Sequence, residues 1–155
     1  MEPLEEDYDA VRDYVGRELG MAHLAPLADA HPQGTIKGLV VQPGGRVFVP
    51  LHVSPNNTDC RPAVNVLWAM DTRCPCTTLR AATWAAIGVA PPAPGERRRV
   101  KIEGQEVQVT MAADDGGHGH GHDLDLLGGD ALSALGATLT VDFAHLTRVK
   151  LVLRG

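Results

Sequence analysis

A carboxylate at the end of an apolar strand must be paired, solvated in a cleft or shifted in pKa, because burying it alone is costly. Asp71 holds that position, directly after the nearly continuous apolar run of residues 64–70. It is the first residue in the chain with a claim to chemistry. Just beyond it, Cys74-Pro75-Cys76 offers two soft sulfur groups at close spacing. His118-Gly119-His120-Gly121-His122 is the most unusual local composition, and imidazole suits zinc, nickel or copper. Neither spacing matches a zinc signature, so no metal is assigned and the three histidines stay weak candidates. That stretch reads first as a flexible polar loop, with metal binding as the alternative. For Cys74 and Cys76 the corresponding reading is one small buried hydrophobe and one exposed thiol.

Other signals carry less. Arg97-Arg98-Arg99 with Lys101 is the only dense basic stretch in a chain of formal net charge −5. It reads as a solvated strand entry, and nothing points to nucleic acid. Three cysteines, an odd number, make no disulfide framework, and Cys60 has no assigned role. Asn56-Asn57-Thr58 matches a glycosylation sequon, but the acidic start (Glu2, Glu5, Glu6, Asp7, Asp9) lacks the apolar centre of a secretory signal. No apolar run approaches a membrane span. A cytoplasmic protein with reduced thiols, no membrane partner and no cofactor is expected.

The elements that must position Asp71 follow from periodicity. The chain has 155 residues, enough for one domain with its own core, and its 44% hydrophobic content suits a folded protein. Leu4, Tyr8, Val11, Val15 and Leu19 recur at helical steps and predict an amphipathic helix over residues 4–19, stopped by Gly20. A loop through Pro26, Pro32 and Gly34 separates it from the rest, giving an N-terminal helix and linker (1–33) and a β-domain (34–155). Residues 35–42 are β-rich, and Pro43-Gly44-Gly45 is a turn. Val47, Val49, Leu51 and Val53 alternate as a half-buried strand should, whereas residues 64–70 read as a strand covered on both faces. A short helix capped by Thr77 or Thr78 then turns Leu79, Thr83 and Ile87 inward and ends at Gly88. Residues 89–95 are too proline-rich for regular structure. Strands are predicted at 100–103 and 107–111 about a turn at Gly104, then at 124–127. Asp130 caps a helix over 131–135, and final strands cover 137–143 and 148–153.

Two motifs in this order resemble the retropepsin family of aspartic proteases and its cytosolic relatives, over about residues 46–154. The first is Leu67-Trp68-Ala69-Met70-Asp71-Thr72-Arg73, standing where the family has an apolar strand and Asp-Thr-Gly, followed by Cys76-Thr77-Thr78-Leu79 and a helix ending in Ile87-Gly88. The second is Leu126-Leu127-Gly128 before Asp130-Ala131-Leu132 and the segment 136–142. Val100-Lys101-Ile102-Glu103-Gly104 looks like the family's central hairpin. The resemblance implies an all-β fold, a closed barrel of the acid-protease half type with short helices. It implies a homodimer in which Asp71 of each subunit forms a dyad sharing one proton, acting on a peptide or protein substrate. Thr72 would brace the two loops across the two-fold axis. Arg73, Cys74, Cys76, Leu126, Leu127 and Gly128 would border the cleft, as would the histidine loop.

Two departures bear on activity. Arg73 replaces the family's glycine, adding bulk and a permanent charge that is expected to pair with the aspartate and oppose the shared-proton state. No glycine-rich flap is recognisable, since only the proline-rich residues 89–99 are available for it, so the lid that excludes water is missing or replaced. The expectations are thus an aspartic endopeptidase, a catalytically silent relative kept for dimerisation or peptide binding, or, third, a metal-binding module.

Overall fold

The computed structural model describes residues 8–27, 34–42, 44–56, 63–112, 124–142, 144–145 and 147–154. The chain is mainly β, with one mixed ten-stranded sheet and three helices among those residues. Helix α1 is Tyr8–Leu19. The strands are β1 (Pro26–Leu27), β2 (Thr35–Val41), β3 (Arg46–Pro55), β4 (Ala63–Met70) and β5 (Thr78–Leu79), followed by α2 (Ala81–Ile87). Then come β6 (Arg98–Ile102), β7 (Gln105–Met111), β8 (Leu126–Leu127), α3 (Gly129–Ala134), β9 (Thr138–Val141) and β10 (Arg148–Val152). Hydrogen-bonded order is β1-β4-β8-β5-β7-β6-β3-β2-β10-β9, with β3 also paired to β4.

Strand β4 explains the layering, because successive side chains on a strand point to opposite faces. Val64, Val66 and Trp68 enter the larger core with Trp84, Ile87, Val100, Ile102 and Val109. Leu67 and Ala69 enter a second core with Phe48, Leu39 and Leu124. Helix α1 covers that second face: Val11 and Val15 are wholly buried, and Tyr8 and Leu19 pack at its margin. The acidic helix at the start of the chain is therefore part of the lid on one side of the sheet. This is what lets an eight-residue apolar strand bury both faces.

The structure corrects several expectations. Strand β3 is buried continuously from Phe48 to Val53 rather than on alternate residues, because β2, β4 and β6 all pair with it and both cores take its side chains. Pro26 and Leu27 are a short strand rather than loop, pairing antiparallel with Val64 and Ala63. Helix α2 is not capped by Thr77 or Thr78; its N-cap is Arg80 and no side chain caps it. Thr78 is instead in β5 and the Thr77 hydroxyl turns to Asp130. Helix α3 begins after Gly128, so Asp130 lies inside its first turn, where its carboxylate accepts from the Ala131 amide at 2.7 Å. Only Leu126 and Leu127 of the 124–127 run form strand. Gly88 does end α2, with φ 71 and its amide bonded back to Ala85.

The β6–β7 turn is a two-residue connection with φ 49 at Glu103 and φ 80 at Gly104. Positive φ is uncommon for glutamate, and here it is held by partners. The Glu103 carboxylate accepts from the His52 amide at 3.1 Å, and the Glu103 amide donates to the His52 carbonyl at 2.9 Å. Among the described residues no helix is long and apolar enough to cross a membrane.

Candidate functional site

Asp71 is placed by a parallel pairing. Strand β8 runs alongside the end of β4, with Ala69 opposite Leu126 and Met70 opposite Leu127. The Ala69 amide donates to the Asp125 carbonyl at 2.9 Å and the Asp71 amide to the Leu127 carbonyl at 3.0 Å. The pairing stops at Asp71, whose carboxylate emerges from the sheet with its side chain 23% exposed. The chain then turns sharply: the Cys74 amide donates to the Asp71 carbonyl, and the Arg73 amide donates to Asp71 Oδ1 at 3.1 Å.

The loop after Asp71 is pinned from below. The Thr77 hydroxyl accepts from the Gly128 amide at 3.0 Å and donates to Asp130 at 2.6 Å. The Gly129 amide donates to the Cys74 carbonyl at 2.9 Å. Gly128 lies so close that a Cβ there would stand 2.7 Å from the Cys76 carbonyl group. A glycine is required by this approach of two backbones, since its φ of −89° is open to any residue. Leu127 is completely buried, so Leu127 and Gly128 form the support behind the loop, while Leu126 is half-buried.

Asp71, Thr72 and Arg73 face a shallow depression together with Gly44, Gly45, Arg46, Val47, Met70 and Leu139. Thr72 is exposed. The Arg73 side chain is 90% exposed, yet its Nε lies 3.6 Å from Asp71 Oδ1. The arginine thus avoids the protein interior and still contacts the acid. Cys74 and Cys76 are half-buried free thiols at the far end of the loop. Between α2 and β6 the chain passes without regular structure, from residues 88 to 97. His118, His120 and His122 lie outside the described residues, as does Cys60. Among the described residues no group of three or more metal-ligating side chains comes together.

One titratable cluster escaped the sequence reading. Asp125 is 1% exposed, and its carboxylate accepts from the Arg80 amide at 2.8 Å and the Thr83 hydroxyl at 2.9 Å. Burial pushes its pKa up to about 6 despite those two donors. His23 Nε2 stands 3.6 Å from the same carboxylate, while its Nδ1 accepts from the Leu67 amide at 3.1 Å. Burial, with Arg12 and Arg80 nearby, lowers His23 to about 4, so at neutral pH the imidazole is uncharged and the contact is not an ion pair. The available signal was an acid inside the apolar run 124–127. Such a residue needs buried donors, and they come from Thr83 in α2 and from the Arg80 amide at its N-cap.

Comparison with family models, with curated proteins and with solved structures gives no match for this chain.

Proposed function

We propose that this chain is one subunit of a retropepsin-like aspartic endopeptidase with a degenerate signature, acting as a homodimer in which Asp71 from each subunit meets its copy. The observation that carries this reading is the parallel β4–β8 pairing that ends at Asp71 and passes the following loop under Gly128. It ties the two motifs that carry the family resemblance into one unit and leaves the carboxylate at the surface. A closed barrel is supported by the pairing order, which runs from β4 through β8, β5, β7, β6 and β3 and returns to β4.

In the dimer one Asp71 carboxylate takes a proton from water, and the resulting hydroxide adds to the scissile carbonyl carbon. The other Asp71, protonated, donates to the carbonyl oxygen. Collapse of the tetrahedral intermediate breaks the C–N bond, and the amine leaves with a proton from the first carboxyl. Thr72 and Leu139 line the same depression as Asp71, which supports a place for both beside such a dyad.

A second reading is favoured by one contact. Arg73 Nε lies 3.6 Å from Asp71 Oδ1, where it competes with a second carboxyl for that oxygen, which suits a silent relative retained for dimerisation or peptide binding. One experiment separates the two. The full chain is incubated with a diverse peptide library across the acidic to neutral range, with and without a statine-type transition-state mimic. Inhibitable cleavage that disappears in Asp71→Asn establishes the endopeptidase. No cleavage by the native chain, with cleavage gained in Arg73→Gly, establishes the silent relative. Cleavage unaffected by Asp71→Asn overturns both.

A further inference from the structure

We propose that Cys74 and Cys76 form a peroxide-sensitive dithiol, with Arg97 as the group that makes Cys76 the reacting sulfur. The two thiols have different surroundings within one turn. Arg97 Nη2 donates to Cys76 Sγ at 3.3 Å, so a guanidinium faces that sulfur. Cys74 Sγ instead donates its hydrogen to the Cys76 carbonyl at 3.0 Å, which folds the Cys74 side chain over residue 76. Both are half-buried and neither is bonded to another cysteine. Reactive cysteines sit in electropositive, partly exposed settings, with a second thiol in reach to resolve the oxidised sulfur. Cys76 meets the first condition and Cys74 supplies the second.

The chemistry balances with a hydroperoxide as the oxidant. Cys76 sulfur attacks one peroxide oxygen, forming an S–O bond as the O–O bond breaks, and leaves a sulfenic acid and one water or alcohol. Cys74 sulfur then attacks Cys76 sulfur, forming the S–S bond and expelling water with the Cys74 proton. Two thiols are oxidised and one peroxide bond is reduced. Both cysteine carbonyls face the Gly128-Gly129 backbone, so the loop is anchored while its side chains react. The proposal is independent of hydrolysis at Asp71.

The test uses the full chain with Cys60→Ser, so that these are the only two sulfhydryls. Hydrogen peroxide is added, and the peptide holding both residues is followed by mass spectrometry. The expected product is a chain not covalently linked to another, whose peptide has lost two hydrogens, restored by a dithiol reductant. Cys74→Ser should stop at a sulfenic acid on Cys76 that a cyclic diketone traps. Arg97→Gln should slow the first step by about tenfold, whereas Arg98→Gln, at a residue that is also exposed, should leave it unchanged. Arg97 is at the surface, so its removal leaves the core intact. Disulfides only between chains, a sulfinic acid on Cys76 with Cys74 unreacted, or an unchanged rate in Arg97→Gln would each overturn the proposal.

Discussion

At Thr77 one hydroxyl links the two halves of the candidate site, accepting from Gly128 and donating to Asp130 within a fully buried environment. Thr77→Val keeps the shape and removes both bonds, leaving the Gly128 amide without that acceptor. A buried donor stranded in this way costs about 1–3 kcal/mol. Urea unfolding of the variant should show a loss in that range with an unchanged denaturant slope; an unshifted midpoint would mean that Thr77 does not tie the loop down. Gly128→Ala probes the same junction by bulk, because the new methyl would meet the Cys76 backbone at 2.7 Å and that backbone is itself anchored. Overpacking of this kind costs about 1–3 kcal/mol. The loop would have to move, so the same variant should also change the reactivity of Cys74 and Cys76, read by thiol labelling. Arg73 is different in kind: at 90% exposure its removal should leave stability nearly unchanged and act only on Asp71.

The joint between α1 and the sheet is where pH should act on an element. Burial raises Asp125 to about 6, so between its ordinary value of 3.8 and about 6 the folded chain holds the proton more tightly. Its contribution is complete at low pH and is lost as pH rises through 6. Burial lowers His23 from 6.5 to about 4, so over nearly the same interval the folded chain holds that proton less tightly and stability rises with pH. The two slopes oppose each other. Native stability should therefore vary little between about pH 4 and 6 on their account, and each single variant should expose the other's slope. His23→Gln should lose stability as pH rises through that window, and Asp125→Asn should gain it, each by on the order of 2 kcal/mol. Chemical denaturation at stepped pH reads this; equal slopes in the two variants would dismiss the coupling. The sequence made the regular elements legible: the stripe of Val11 and Val15 gives α1, the run into Asp71 gives β4, and Gly88 gives the end of α2. It did not reveal Asp125, because periodicity ranks residues by apolar spacing and cannot show that Thr83 and the Arg80 amide converge on an acid from another element. It also misplaced Thr77 and Asp130 as helix caps, since a local capping reading and a long-range hydrogen bond between them use the same residue types.

For the molecule as a whole the question is what covers β9. Strand β9 is the outer strand at one end of the sheet, all four of its residues are exposed, and neither charge nor proline blunts it. Leu139 and Val141 are the large apolar side chains left in solvent among the described residues, at 39% and 38% exposure. Leu139 borders the same depression as Asp71, so a second copy seated on this edge would bring its own loop toward the acid. Strand addition by an identical edge supplies backbone hydrogen bonds in both directions and a two-fold axis, the symmetry that the proposed dyad needs. The native chain should therefore sediment as a concentration-dependent dimer, and Leu139→Lys with Val141→Lys should make it a monomer. Because both side chains are already exposed, the unfolding midpoint of the monomer should change by less than about 0.5 kcal/mol. Any Asp71-dependent cleavage should disappear with the dimer, since one subunit carries one acid. A native chain that stays monomeric at the highest attainable concentration would remove the endopeptidase reading, and a dimer that survives both lysines would move the interface to another face.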